Sequence, residues 1–303
     1  MAKRKSGLDI HGILLLDKRE GVSSNRALQE VRRLLNANKA GHTGSLDPLA
    51  TGLLPLCFGE ATKVSGMMLD QDKRYQVRVR LGVMTDTGDA EGQVIAEMPV
   101  PAFSEAALAA CLDSFIGEID QVPPMYSALK HQGQKLYELA RAGISIDRPP
   151  RRISIYALNL LDYGADYLCL DVSCSKGTYI RSLAEDIATK LGSCGTVASL
   201  RRSAAGQFDL SAAYTLEQLQ AMSPEQLQNC LIDVDAPLAD IPALQLSAAQ
   251  SLCIKQGQQI TMPAGLPGLV RIYCEQDFLG LGELLLNGKL APKKLFNLDN
   301  QLH

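Results

Sequence analysis

The residues best suited to chemistry lie in one glycine-rich stretch, positions 40–54. It holds three glycines, one histidine and one carboxylate, Asp47, and an apolar run follows it. Glycines let the backbone adopt unusual dihedral angles and approach a ligand closely, so Asp47 could be a rigidly held group at a loop edge. An Asp-Pro pair is also a frequent helix start, in which the carboxylate caps free N–H groups and Pro48 takes the first helical position. Spacing alone favours the cap.

The fourteen residues from Gly41 to Leu54, Gly-His-Thr-Gly-Ser-Leu-Asp-Pro-Leu-Ala-Thr-Gly-Leu-Leu, closely resemble the active-site signature of the TruB family of tRNA pseudouridine synthases. In a second segment that resembles a family motif, Arg19 stands where these proteins commonly carry proline, which loosens the turn without removing a polar group. The resemblance is strong over residues 10–202 and weaker in the tail. The further segments similar to family motifs are 17–24, 85–92 and 197–202.

The resemblance implies isomerisation of uridine 55 in the TΨC loop of tRNA. The N-glycosidic bond breaks, the base turns and its C5 rejoins the ribose. Because neither redox chemistry nor hydrolysis is involved, no cofactor and no metal are expected. The uridine must be flipped out of the folded RNA, at a cost of roughly a few kcal/mol. Asp47 is expected to be the nucleophile or a charge-stabilising carboxylate, and the sequence leaves both roles open.

The resemblance also implies roles for individual residues. Asp47, Tyr75 and Arg181 are the expected catalytic residues, with Arg181 holding Asp47 charged and oriented through two parallel hydrogen bonds. Tyr75 is expected to stack on the uracil and to serve in proton transfer at C5. The other expected substrate contacts are Tyr179 and Leu200 as walls of the base pocket and His42 as the group that fills the vacated stack. The side chains expected to contact the RNA backbone are Lys18, Lys130, Arg141, Arg201 and Arg202.

The composition is that of an ordinary globular protein: 303 residues, 46% hydrophobic and 21% charged. No run approaches the roughly 20 apolar residues of a membrane span, and the first residues lack the apolar segment of a secretory signal, so a cytoplasmic location is expected. The eight cysteines include no Cys-x-x-Cys pair and the four histidines are scattered, which indicates neither a zinc site nor a disulfide framework. No membrane and no obligate protein partner are expected.

Charge is distributed unevenly along the chain, although the net charge is only −3. Residues 1–40, which begin with a basic arm over 1–8, hold nine Lys/Arg against four Asp/Glu, and residues 121–152 hold six against two. Residues 203–254 contain six acids and no Lys or Arg. This asymmetry would let one basic face meet tRNA phosphates, although separate solvated faces would give the same counts.

The resemblance implies an α+β fold with a mixed, largely antiparallel sheet flanked by helices. Strict alternation predicts a strand over 75–81, and helical spacing predicts helices ending near 35 and spanning 104–117. A further predicted helix has Arg181 in its first turn. A cation there opposes the helix dipole, which hints at an anionic partner nearby. The predicted domains are 9–245, with an RNA-clamping insertion at 124–152, and 246–303, which in this family resembles a PUA-type β-barrel.

Two other functions fit parts of the sequence. A tRNA-binding or tRNA-folding protein without chemistry would keep the basic segments and the tail domain and make Asp47 a helix cap. A phosphate-binding enzyme would use the glycine turn that begins at Gly41 as an anion nest, but no Gly-Lys-Ser/Thr sequence follows it.

Overall fold

The structure, a computed structural model, describes residues 7–263 and 265–298. Most of the basic arm predicted at 1–8 and the last five residues of the predicted tail domain lie outside the described residues. The strands of the first 215 residues are β1 (Gly12–Lys18), β2 (Ala40–His42), β3 (Thr51–Phe58), β4 (Lys73–Leu81), β5 (Val83–Thr85), β6 (Val94–Glu97), β7 (Gly117–Gln121), β8 (Lys130–His131), β9 (Gln134–Lys135), β10 (Arg151–Tyr163), β11 (Tyr167–Cys174), β12 (Gly195–Ala205), β13 (Phe208–Asp209) and β14 (Tyr214–Thr215).

Ten of these strands form one large mixed sheet, eight of them in the order β14-β1-β3-β12-β4-β11-β10-β7, with β2 paired to β3 and β13 paired to β12. Only the β1/β14 and β3/β12 pairs among them are parallel, so the predicted mixed, largely antiparallel sheet is confirmed. Strand β12 lies between β3, which follows the glycine-rich stretch, and β4, which carries Tyr75. The centre of the sheet therefore joins two segments that the sequence singled out for chemistry.

Strand β4 shows why the alternating sequence folds as it does. Its nine residues alternate strictly between buried and exposed, with Tyr75, Val77 and Val79 buried and Arg78 exposed between them. Because successive side chains of a strand point to opposite faces, this pattern puts one face of β4 in the core and the other in solvent. The strand predicted over 75–81 is confirmed.

Helices cover the core face of the sheet. Helix α1 begins after Ser23, whose side chain accepts a hydrogen bond from the Arg26 backbone N–H, and it buries Ala27, Leu28 and Val31. None of the helices in the described part of the chain is long and apolar enough to cross a lipid bilayer. The helices are α1 (Ser24–Leu34), α2 (Ser65–Leu69), α3 (Glu105–Asp113), α4 (Leu136–Arg141), α5 (Ile180–Lys190), α6 (Leu216–Gln220), α7 (Pro224–Asn229) and α8 (Ala248–Lys255).

The helix predicted over 104–117 is shorter in the structure and ends at Asp113. Gly117, at φ +106°, then starts strand β7, because glycine tolerates a backbone angle that side chains oppose. The predicted insertion at 124–152 contains a two-stranded hairpin, β8 and β9, followed by α4. It leaves the sheet after β7 and returns to it at β10.

The tail forms a separate curled sheet in the order β15-β17-β18-β19-β16, with helix α8 packed against it. Its first strand pairs with β17 and ends at Leu246, so this sheet begins before the boundary predicted at 246. Phe278 and Phe296 share an apolar cluster with Leu15 and Leu53 of the first domain. The tail is therefore packed on the large sheet. Its strands are β15 (Ala243–Leu246), β16 (Ile260–Thr261), β17 (Gly268–Cys274), β18 (Asp277–Leu284) and β19 (Lys289–Leu295).

Gly52 makes the contact between β3 and β12 possible, because it has φ +98° and a Cβ there would lie 2.3 Å from the Arg202 carbonyl oxygen. Gly21, at φ +76°, has no atom within 4 Å of such a Cβ and is a matched control for the backbone angle alone. We expect Gly52→Ala to lower the free energy of unfolding by about 3 kcal/mol or more, and Gly21→Ala by about 1 kcal/mol. Urea unfolding measures both, and equal losses would contradict the close packing.

Candidate active site

Asp47 lies in the loop between β2 and β3, and the structure excludes its interpretation as a helix cap. Residues 48–50 form a bend that leads directly into strand β3, so no helix follows the Asp-Pro pair. The Ala50 N–H donates to the Asp47 carbonyl oxygen at 3.1 Å, which closes a single tight turn. The sequence alone favoured the cap because an Asp-Pro pair can start either a tight turn or a helix.

The loop is fixed on both sides of Asp47. The Ser24 hydroxyl accepts from the Leu46 N–H at 2.7 Å and donates to the Leu46 carbonyl at 3.0 Å. On the other side, the Pro48 carbonyl accepts from the Gly21 N–H at 2.9 Å and from the Lys18 ammonium at 3.1 Å. Asp47 is therefore presented by a backbone that helix α1 and the β1 turn hold in place.

Arg181 meets Asp47 through one nitrogen rather than two. Its Nε lies 3.0 Å from Asp47 Oδ2, while Nη1 donates to the Thr87 carbonyl at 2.6 Å and Nη2 donates to the Tyr126 carbonyl at 2.7 Å. The expectation of two parallel hydrogen bonds is wrong, because the remaining donors are used by two neighbouring loops. The guanidinium thus ties the Asp47 loop, the 85–92 loop and the start of the insertion to helix α5.

Burial decides the charge balance at Asp47. Burial raises the pKa of the Asp47 carboxyl, Arg181 acts to lower it, and nearby Asp89 raises it further. The net direction is upward, so the charge of Arg181 offsets the effect of burial only in part. The Arg181 side chain is 5% exposed and the Asp47 side chain is 41% exposed. The carboxylate is therefore partly open to solvent, with a buried cation behind it.

Asp89 is a site residue that the sequence did not single out. Its Oδ2 lies 3.9 Å from Arg181 Nη1, and its Oδ1 accepts from the Thr87 hydroxyl at 2.6 Å and the Glu91 N–H at 3.2 Å. Like Arg181, it is buried, with 6% of its side chain exposed. The signal was present in the turn-rich segment 85–92, but nothing in the sequence showed that this turn folds onto Arg181.

Strands β4 and β12 bring together Tyr75 and Leu200, two of the residues expected to contact the base. Leu200 lies directly opposite Val77, and Arg202 directly opposite Tyr75, so their side chains share one face of the sheet. Tyr75 is 9% exposed and Leu200 is 8% exposed. Burial raises the pKa of the Tyr75 hydroxyl, with Arg202 acting in the opposite direction. A small apolar surface with one polar group at its base is thereby formed.

Tyr179 and His42 are the remaining expected substrate contacts. Tyr179 is half-buried at the start of α5, where the Gln121 side chain bonds both its N–H and its carbonyl. His42 is half-buried and its Nδ1 is buried without a hydrogen-bond partner. Burial and then the charge of Arg202 lower the pKa of His42, so its imidazole is neutral at pH 7.

Two of the five side chains expected on the RNA backbone are inside the protein. Lys18 and Arg202 are each 1% exposed. The Lys18 ammonium donates to the carbonyls of Arg19, Val22 and Pro48, at 2.9, 2.8 and 3.1 Å. Burial lowers its pKa to about 8, which leaves it protonated at neutral pH. Neither Lys18 nor Arg202 can reach a phosphate in this structure, so both expectations are corrected.

The other three expected backbone contacts are accessible. Lys130 and Arg141 are exposed on the insertion. Arg201 points away from the core face because it alternates with Arg202, and its half-exposed guanidinium pairs with Asp17 at 2.6 Å. These three side chains could meet an RNA backbone.

The raised pKa of Asp47 makes a prediction about stability. Because the carboxyl ionises less readily in the folded protein, its charge costs stability above the folded pKa, and this cost vanishes below the unfolded value near 3.9. Asp47→Asn should therefore raise Tm at pH 7, on the order of 2 °C, and leave it unchanged near pH 3. Thermal unfolding across this range measures it; a lower Tm at pH 7 would show that the Arg181 contact outweighs burial.

Comparisons with known proteins cover nearly the whole chain. Residues 32–180 match the N-terminal domain of TruB family pseudouridylate synthases, 181–239 a tRNA pseudouridylate synthase B C-terminal domain, and 242–296 the C-terminal domain of pseudouridine synthase II TruB. The tRNA pseudouridine synthase B of Chromohalobacter salexigens is 51% identical over 300 residues, which is 98% of both chains. That of Aromatoleum aromaticum is 52% identical over 286 residues, 94% of this chain and 92% of the relative.

Solved structures agree on the fold. The Cbf5-Nop10-Gar1 complex aligns with a TM-score of 0.70 at 23% identity, over 95% of this chain and 85% of that chain. An H/ACA RNP bound to a substrate RNA containing 2′-deoxyuridine also aligns at 0.70, with 21% identity, over 99% and 92%. The sequence relatives exclude a protein without chemistry. The chain belongs to the TruB family of pseudouridine synthases and is an isomerase that converts uridine to pseudouridine in tRNA.

Proposed function

We propose that the uridine converted is uridine 55 of the TΨC loop, and that Asp47 is the carboxylate on which the isomerisation depends. The observation that supports this most is the contact of 3.0 Å between Arg181 Nε and Asp47 Oδ2, with Arg181 buried and Asp47 half-exposed. A carboxylate held from behind and open in front can meet a ligand without rearranging its loop. This arrangement is better explained by a catalytic role for Asp47 than by a structural one.

Asp47 acts at the ribose C1′ of the target. As the glycosidic bond breaks, positive charge develops on the sugar, and an ionised carboxylate either stabilises that charge or attacks the carbon. Both roles need the charged form. Burial raises the pKa of Asp47, whereas Arg181 and Lys18 both oppose that rise. The two buried cations thus keep a desolvated carboxylate available as the anion.

The released uracil is held by the surface that β4 and β12 form. Tyr75 offers an aromatic face for stacking, and Leu200 and Tyr179 wall the pocket, which suits a planar base removed from its stack. The Tyr75 hydroxyl lies at the base of this surface and takes part in proton transfer at C5. His42 is neutral and ends strand β2, five residues before Asp47, so it can occupy the stack that the uridine leaves.

The rest of the tRNA is held by exposed basic groups. Lys130 and Arg141 lie on the insertion, and Arg201 lies near the site on the outer face of β12. Backbone contacts of this kind set position and orientation, whereas the flipped base is read in the pocket. The tail domain adds contacts to the RNA along the acceptor-side stem, in keeping with its resemblance to a PUA-type module.

The substrate position and the role of Asp47 can be tested together. Incubation with an unmodified tRNA transcript should yield pseudouridine at position 55, and a transcript with cytidine at 55 should yield none. Asp47→Asn should slow single-turnover conversion at least about a thousandfold, equal to about 4 kcal/mol of barrier. Its Kd for tRNA should stay within about threefold of the parent, since the side chain keeps its size. Conversion at another uridine, or a near-parent rate for Asp47→Asn, would refute the respective assignment.

The proposed RNA contacts of the insertion can be tested separately. Replacing both Lys130 and Arg141 by Gln should raise the Kd for tRNA and flatten its dependence on salt by about one logarithmic unit per lost phosphate contact. Lys190→Gln is the control, because Lys190 is exposed at the far end of α5, roughly 15 Å along the helix from its start, where Arg181 bonds the Tyr126 carbonyl of the insertion. The measurement is the Kd for tRNA at several salt concentrations. An unchanged slope of log Kd against log salt concentration in the double variant would exclude these contacts.

A further inference from the structure

Arg202 is the largest fully buried side chain in the described part of the chain, at 1% exposure. No carboxylate among those residues lies within 4 Å of its guanidinium, whereas the other buried arginine, Arg181, pairs with Asp47. Burying an unpaired cation is costly, and it persists only where other groups satisfy it. The groups that satisfy Arg202 therefore indicate what it holds in place.

Two backbone carbonyls accept hydrogen bonds from Arg202. Its Nε donates to the Leu53 carbonyl at 2.7 Å and its Nη2 donates to the Gly44 carbonyl at 3.1 Å. Leu53 lies near the start of β3, and Gly44 lies three residues before Asp47 in the loop that β2 and β3 enclose. The guanidinium thus bridges the start of β3 and the part of the loop that precedes Asp47.

The same guanidinium lies beside Tyr75. Arg202 and Tyr75 are directly opposite each other across the β12/β4 pair, and their side chains share the core face. Arg202 acts to lower the pKa of the Tyr75 hydroxyl, through its charge and a side-chain hydrogen bond. The other titratable groups that act on this pKa are Asp47 from the loop and the Cys174 thiol from β11. Arg202 is the one of these three groups that also bonds the loop backbone.

We propose that Arg202 is a positioning residue for the isomerisation: its guanidinium links the Tyr75 hydroxyl to the Gly44 carbonyl and so sets the tyrosine ring against the loop that carries Asp47. The proposal rests on the proposed function, in which Tyr75 stacks on the uracil while Asp47 acts on the ribose. The two groups come from different elements, and the reaction needs base and sugar held together. A displacement of about 1 Å at such a site can cost on the order of a hundredfold in rate.

Lysine cannot replace Arg202 in this role. A guanidinium is planar and points its donors in fixed directions, so it can hold three acceptors on different sides. An ammonium keeps the charge but presents a single nitrogen on a flexible stem. Lys73 is a cation nearby whose pKa Arg202 acts to lower, but its ammonium already donates to the Leu69 carbonyl at 2.6 Å. No neighbouring cation on the described residues is therefore placed to substitute.

A double-mutant cycle tests the proposal. Arg202→Lys, Tyr75→Phe and the double variant are compared for single-turnover formation of pseudouridine in tRNA and for Kd. We expect Arg202→Lys to slow the parent about thirtyfold, and to slow the Tyr75→Phe enzyme by less than about threefold, because the hydroxyl it positions is then absent. The Kd should change by less than about threefold in each case, since Arg202 is buried away from solvent.

The control is Arg74→Lys, since Arg74 is the neighbour of Tyr75 on β4, is exposed and pairs with Asp171 on the outer face. Its rate should stay within about twofold of the parent. A near-parent rate for Arg202→Lys, or an equal slowing in the Tyr75→Phe background, would overturn the proposal. Because the rate counts pseudouridine at any position of the tRNA, a failure of the assignment to position 55 leaves this test intact. The same double-mutant cycle, measured on the free energy of unfolding, tests the contact between Arg202 and Tyr75 independently of catalysis. Zero coupling energy there would also overturn the proposal.

Discussion

The contact between Asp47 and Arg181 is the constraint on which the rest of the site depends. A partly buried carboxylate loses part of its solvation, and a nearby cation that is itself buried favours its ionised form. Arg181 can take that place because helix α5 starts beside the Asp47 loop and because the carbonyls of Thr87 and Tyr126 accept its other donors. The large sheet, the 85–92 loop and the insertion therefore all meet at one guanidinium.

Three buried cations together fix the loop that carries Asp47. Lys18 bonds the Pro48 carbonyl, Arg202 bonds the Gly44 carbonyl and Arg181 contacts the carboxylate itself. Hydrogen bonds from charged donors are roughly twice as strong as neutral ones, so they add to the anchoring that buried Leu46 and Leu49 give this short loop. Two of these cations are satisfied by carbonyl oxygens rather than by acids, and Asp47, which contacts the third, stays half-exposed.

The sequence predicted regular elements well and long-range contacts poorly. Alternation over 75–81 and the helical spacing that ends near 35 are local signals, and both appear in the structure. No local signal shows that residues 134 positions apart, such as Asp47 and Arg181, will touch; that pairing came from the family resemblance. Asp89 was missed for the same reason, since its role depends on how the 85–92 turn packs. The prediction of a helix cap at Asp47 was wrong because the Asp-Pro signal is shared by helices and tight turns.

The interpretation of basic residues shows most clearly where sequence reading fails. A count of Lys and Arg treats each as a phosphate contact, yet burial depends on strand register: Arg201 and Arg202 are adjacent, but one faces solvent and the other the core. A register shift of one residue would exchange their roles. The sequence does not state which face of β12 is buried until its partners β3 and β4 are known. In this protein, the basic charge is therefore divided between cations that shape the site from inside and cations that can hold RNA outside.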